Sequence, residues 1–289
     1  MIMNPYADFI SKLTGVMRGA RDLPMGGLKP ARATKIPPDA PRALIFSPHP
    51  DDEVIIGGLP LRLLREMRMN VINVAVTQGS NKARQAERWK ELDACCNYIG
   101  FNLQQMGDRG LESINLTGRL ENRQRWNSSV DQIVAVLTRY QPRIIFFPHD
   151  DDWNSTHIGT HHLVMDALSR MDNSFSCYAV ETEFWGAMDS PNLMVESSEE
   201  DVTDLISALS FHVGEVRRNP YHLRMAAWMM DNVRRGGELV GGQGGAAPDF
   251  VFATLYRLSK WEGGKIQDVQ EKGRFVSRNE KVAGVFAEV

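Results

Sequence analysis

Ala43-Leu44-Ile45-Phe46-Ser47-Pro48-His49-Pro50-Asp51-Asp52-Glu53 joins a short apolar run to an imidazole and three carboxylates. Residues 43–47 have the length and apolar content of a buried strand, and the chemistry-bearing side chains begin where that run ends. Prolines on both sides of His49 fix backbone angles and stiffen the turn before any ligand arrives. Carboxylates crowded at one strand end repel one another unless a cation compensates them.

Outward from this stretch the pattern repeats. Apolar runs at 71–77, 143–147 and 178–182 read as further strands, and helical periodicity fills 59–69, 83–99, 128–140 and 157–171. Strands alternating with helical crossovers predict an α/β fold with a mostly parallel sheet. Beyond Asp201 two more helices are expected, at 202–215 and 221–234, and then a Gly-rich stretch at 236–245 that reads as a mobile loop or a lid. Residues 1–41 form an N-terminal arm. Phe9, Ile10, Leu13, Val16 and Met17 fall on one face of a helix there, expected to pack on its own domain, or else to serve as a dimer contact or active-site cover. Residues 42–289 are then one α/β domain with a C-terminal helical and Gly-rich extension.

Composition narrows the class. A chain of 289 residues, 43% hydrophobic and 24% charged, can bury a sizeable core. Its net charge of -3 and scattered basic residues leave no electrostatic footprint for nucleic acid, so a small-molecule substrate is expected. Three cysteines, Cys95, Cys96 and Cys177, have no disulfide-framework or thiolate-zinc spacing, which suits a reducing cytoplasm. No apolar stretch approaches the roughly 20 residues that span a bilayer. Neither a transmembrane segment nor a secretory leader is expected, and homo-oligomerisation stays open.

A second cluster completes the case for a metal. The run 143–147 leads into Pro148-His149-Asp150-Asp151-Asp152-Trp153-Asn154-Ser155-Thr156-His157, again at a strand's carboxyl end and again opening a helix. An Asp-rich turn alone is usually a helix cap. Caps do not require histidine beside carboxylates at two strand ends, so the pair points to a metal site. Nitrogen with carboxylate suits zinc, and a catalytic zinc needs a third protein ligand and one open position. His157 and His149 both offer that third ligand. His161, His212 and His222 read as packing or structural histidines, with His212 able to approach the rim. Trp153 and Trp185 are plausible stacking faces for a pyranose, although burial is the commoner fate of tryptophan.

His49-Pro50-Asp51-Asp52-Glu53 after an apolar strand resembles the signature of the PIG-L, or LmbE-like, deacetylases. Further matches follow in order: Thr77-Gln78-Gly79, Arg88 with Glu91, Ile99-Gly100-Phe101, and His157 at the last histidine of the family's His-Pro-Asp-His. The resemblance spans about 43–187, with a weaker echo at His212. It implies a Rossmann-like sheet, one zinc per chain held by His49, Asp52 and His157, Asp51 as general base, and Glu53 as a support. It also implies removal of an N-acetyl group from an N-acetylglucosamine-type sugar or glycoconjugate. Cleavage of another amide conjugate is a close variant. A non-catalytic metal-containing carbohydrate-binding protein and a two-metal phosphoesterase are the distant ones. Arg88 and Asp108 are the candidate substrate-binding residues, Arg88 otherwise pairing with Glu87 or Glu91 on its helix.

The chain departs from the family where Asn154-Ser155-Thr156-His157 replaces His-Pro-Asp-His. Asn154 can donate a hydrogen bond to an oxyanion but cannot deliver a proton, which leaves proton transfer to Asp51. Thr156 cannot orient the neighbouring imidazole, so that task falls to Asp150, Asp151 or Asp152.

Overall fold

The computed structural model describes residues 4–30 and 33–286. Five strands, β1 (Arg42–Ser47), β2 (Asn70–Ala75), β3 (Asn102–Gln105), β4 (Ile144–Pro148) and β5 (Cys177–Thr182), make the parallel half of a nine-stranded sheet. The rest comes from β6 (Leu193–Glu196), β7 (Ala253–Glu262), β8 (Lys265–Asp268) and β9 (Arg274–Val276). The order is β3-β2-β1-β4-β5-β7-β6-β9, with β8 paired to β7. β7 runs antiparallel to β5, β6 and β8. Among the described residues, ten α-helices accompany the sheet. They are α1 (Pro5–Gly19), α2 (Asp52–Ile55), α3 (Gly58–Glu66), α4 (Gln85–Ile99) and α5 (Leu116–Glu121), then α6 (Arg123–Tyr140), α7 (Ser155–Leu168), α8 (Glu199–Leu209), α9 (Val213–Arg218) and α10 (Met225–Leu239).

The period of two in β1 sorts its side chains onto two cores. Ala43 and Ile45 pack with Leu59, Leu92 and Leu205 from α3, α4 and α8, whereas Leu44 and Phe46 pack with Ile133 and Leu163 from α6 and α7. Helices therefore cover both faces, as a buried parallel sheet requires. Gly100, at φ 89°, ends α4 in the left-handed conformation that a helix stop favours. After β3 the chain crosses to the other side of β1 and enters as β4. The crevice of a doubly wound sheet opens at such a switch point, outside the carboxyl ends of the strands.

Four expectations change. The C-terminal segment is no appendage, because β6 to β9 complete the same sheet. The helix expected over 202–215 breaks after Leu209: Ser210 Oγ turns back to the Ser207 carbonyl at 2.6 Å and accepts Gly26 N–H, competing with helix continuation. Gly236 and Gly237 are buried in α10 rather than looped out, and a Cβ on Gly236 would strike Met194 and Leu255. They let α10 lie close on the sheet. Finally, α1 forms but buries none of its residues, leaving Phe9 and Val16 60% and 68% exposed.

Candidate metal centre

Two strand ends at the switch point carry the site. His49 follows β1, Asp52 opens α2, and His157 lies in the first turn of α7 after β4. His49 Nδ1 stands 3.3 Å from His157 Nε2, Asp52 Oδ2 is 3.4 Å from His49 Nδ1, and the same oxygen is 3.3 Å from His157 Nε2. These three edges form a nearly equilateral triangle. Ligands about 2.0–2.1 Å from a tetrahedral cation stand about 3.3–3.4 Å apart, so the donor set fits such an ion. Two ring nitrogens facing each other across a shared carboxylate oxygen otherwise need a proton between them.

The supports are equally specific. His49 N–H donates to Asp52 Oδ2 at 2.8 Å, fixing one ligand against another. Asp152 Oδ2 lies 3.4 Å from His157 Nδ1, so Asp152 is the orienter among the three aspartates considered. Burial opposes ionisation of Asp52, but His157 and His49 hold its carboxyl well below the usual range. Burial also opposes charge on His157, yet Asp52 and Asp152 push its pKa up to about 10. Binding a cation here must therefore displace a proton.

Asp51, next to the ligand candidate Asp52, stands at φ 114°, a left-handed conformation that only a constrained non-glycine residue keeps. Glu53 supplies the constraint: its Oε2 accepts Asp51 N–H at 2.9 Å. Its Oε1 takes the Cys95 thiol at 3.1 Å and His212 Nε2 at 2.8 Å. Burial would lower the His212 pKa, but Glu53 raises it, so the two are a buried ion pair. Burial and then the neighbouring Asp52 push the Asp51 carboxyl up to about 7, opposed by His212, Arg88 and a hydrogen bond from Tyr221.

Other predicted residues sort by geometry. Asn154 caps α7 by accepting Thr156 N–H at 2.9 Å through its Oδ1, which directs the amide nitrogen elsewhere for donation. Arg88 pairs with neither helix neighbour considered: it donates to the Pro50 carbonyl at 2.9 Å and lies 4.0 Å from Asp51. Asp108 is not brought to the site, because the turn between Gly107 and Gly110, both at positive φ, leaves it exposed. His149 is no rival ligand. One ring nitrogen accepts Asp151 N–H and the other bonds the Gly186 carbonyl at 3.0 Å. His161 bonds the Pro148 carbonyl and His222 is buried, consistent with structural roles. Both tryptophans escape the usual burial, Trp153 being 81% and Trp185 45% exposed.

A recess of about 250 Å³ exposes the triad, Asp51, Arg88 and Tyr221. It shares His49 and Asn154 with a larger groove of about 530 Å³, lined by polar side chains such as Thr77, Ser80, Ser113 and Thr156. Gly159 on α7 permits this wall, since a Cβ there would strike the backbone at Ile114.

Residues 44–168 match the family model described as PIG-L: GlcNAc-PI de-N-acetylase. That segment is under half of the chain. It contains every triad residue together with Asp51, Asp152 and Asn154, whereas Trp185, His212 and Tyr221 come from chain beyond it. Among solved structures, N,N'-diacetylchitobiose deacetylase from Pyrococcus horikoshii is 17% identical with a TM-score of 0.56, over 91% of this chain and 95% of its own. The zinc-inhibited form of teicoplanin deacetylase Orf2 is 15% identical with a TM-score of 0.56, over 79% and 100%. GalB, the 4-carboxy-2-hydroxymuconate hydratase from Pseudomonas putida, is 17% identical with a TM-score of 0.53, over 75% and 95%. At these identities the likeness is one of fold, and the proteins that share it include a hydratase as well as deacetylases. No curated protein sequence matches the chain.

Sequence reasoning missed Tyr221 and the pairing of Glu53 with His212. Tyr221 follows Asn219-Pro220, where no local pattern announces a site. His212 lies 159 residues from Glu53, a contact only the fold can make.

Proposed function

We propose that the protein is a zinc-dependent hydrolase that removes an N-acetyl or related N-acyl group from an N-acetylglucosamine-type sugar or glycoconjugate. The observation that carries this reading is the close triangle of donors from His49, Asp52 and His157 with the carboxylate of Asp51 beside it. A purely structural cation would need a fourth protein ligand and no adjacent base.

One zinc per chain, when bound, would supply the Lewis acidity that makes water nucleophilic near neutral pH and polarises an amide carbonyl. Asp51, held in place by Glu53 and Tyr221, takes the proton from the attacking water at its carboxylate. The Asn154 amide N–H donates to the carbonyl oxygen as negative charge develops there. Asp51 then returns its proton to the departing nitrogen, so one amide and one water become a carboxylic acid and an amine. Arg88 borders the recess as a substrate anchor. The polar groove suits the hydroxyls of a sugar, and the exposed rings of Trp153 and Trp185 offer stacking faces near it. Three buried, unpaired thiols support placement in the cytoplasm. No helix among the described residues is long and apolar enough to cross a membrane.

The test is incubation of zinc-loaded protein with a panel of N-acetylated sugars, nucleotide sugars and glycolipid head groups, with free acetate as the readout. Acetate release from at least one sugar is expected. No release from any of them contradicts the sugar deacetylase.

A further inference from the structure

The recess that exposes the triad has two chemically opposite neighbours. On one side, through His49 and Asn154, lies the polar groove. On the other, sharing Trp185 and Tyr221, lies a cavity of about 40 Å³ with mostly apolar surface, bordered by Ile55, Leu209, Met225 and Trp228 together with Arg224. Ile55 ends the same short helix that Asp52 begins, so this cavity sits directly behind the reacting centre. Trp185 and Tyr221 meet edge to face at 5.4 Å, the Tyr221 hydroxyl bonds Asp51, and this aromatic pair lines both the cavity and the recess. Trp185, which borders both spaces, is 45% exposed.

We propose that this cavity is an acyl-tail subsite, which takes the short hydrocarbon chain of an N-acyl group larger than acetyl. The proposal rests on the hydrolase reading above. An amide lying across the recess with its polyhydroxylated amine part in the polar groove sends its acyl carbons the other way, toward Tyr221 and Trp185. Acetyl has only a methyl to place there. At roughly 10–15 Å³ for each water-sized group, the space holds about three carbons. Each methylene that enters the apolar surface leaves water. That transfer strengthens binding about fourfold per carbon.

Tryptophan fluorescence reads the subsite directly, because Trp185 and Trp228 both border it. Zinc-loaded Asp51→Asn protein is titrated with N-acetyl-, N-propanoyl- and N-butanoylglucosamine. The expected dissociation constant falls about fourfold for each added carbon. Met225→Phe, which fills the cavity, flattens that series, and Trp228→Ala, which enlarges it, extends the gain to longer chains. Affinity that is flat, absent or falling with chain length overturns the subsite, as does an unchanged series in both variants. Hydrolysis of the same three compounds by the unsubstituted protein separates the two claims. Chain-dependent binding with no acid released contradicts the hydrolase and keeps the cavity, whereas hydrolysis with a flat binding series does the reverse.

Discussion

In the proposed reaction Asp51 concentrates the chemistry into one side chain. Burial and the Asp52 charge bring its pKa up to about 7, and it accepts a proton only when ionised, so kcat/KM should fall as pH drops through that value. A bound cation draws the limb to lower pH. Tyr221 stabilises the ionised form by donating to it, so Tyr221→Phe should move the acid limb to higher pH. A pH-rate profile in both proteins checks the sign, and a shift to lower pH contradicts the assigned hydrogen bond.

The ligands depend on neighbours in the same way. Asp152→Asn keeps the shape of the side chain that orients His157 but removes its charge, and should weaken zinc binding by about 10–100-fold. Competition with a chromophoric chelator measures this. Unchanged affinity would return the orienting role to Asp150 or Asp151. Most of this layer was legible beforehand, because His49, Asp51, Asp52 and His157 belong to two local motifs. Asp152 was one of three candidates, and only its 3.4 Å approach to the ring separates it from the others.

At the scale of elements, the parallel half of the sheet was readable because buried strands are continuous apolar runs bounded by turns. β3 was not, since Asn102-Leu103-Gln104-Gln105 is a short polar edge strand with no apolar period. β7 and β8 carried an overlooked signal, Gly263-Gly264 at φ 61° and 77° between two strand patterns, which is the two-residue hairpin turn. The break between α8 and α9 has functional weight. It turns His212 inward to Glu53 with both side chains fully buried. Removing His212 leaves Glu53 a buried charge short of its partner, so His212→Ala should cost about 3–5 kcal/mol. Urea unfolding of the metal-free protein tests this, and a loss under about 1 kcal/mol would mean the pair is not held as described.

For the whole molecule, the sheet places its chemistry by topology: the switch between β1 and β4 brings two motifs 108 residues apart to one 3.3 Å contact. Residues 44–168 hold the proposed ligands and the proposed base, and the later chain holds Tyr221, Trp185 and His212. Sequence reading reached the first group through local pattern; it offered Trp185 and His212 without their partners and missed Tyr221, because those partners are set by the fold. α1 stands outside this construction. Because it buries no residue, deleting residues 1–22 should leave the melting temperature of dilute protein within about 2 °C, less than 1 kcal/mol at this size. A larger drop in scanning calorimetry would show that α1 contributes to the fold. The central claim is the division of labour at the first strand end, His49 and Asp52 binding while Asp51 reacts. Zinc content and acetate release from an N-acetylated sugar, measured together for Asp51→Asn and the unsubstituted protein, test it most directly. The account predicts one zinc per chain in both and a loss of about 10²–10⁴-fold in hydrolysis for the variant; full activity in Asp51→Asn, or loss of its zinc, would contradict it.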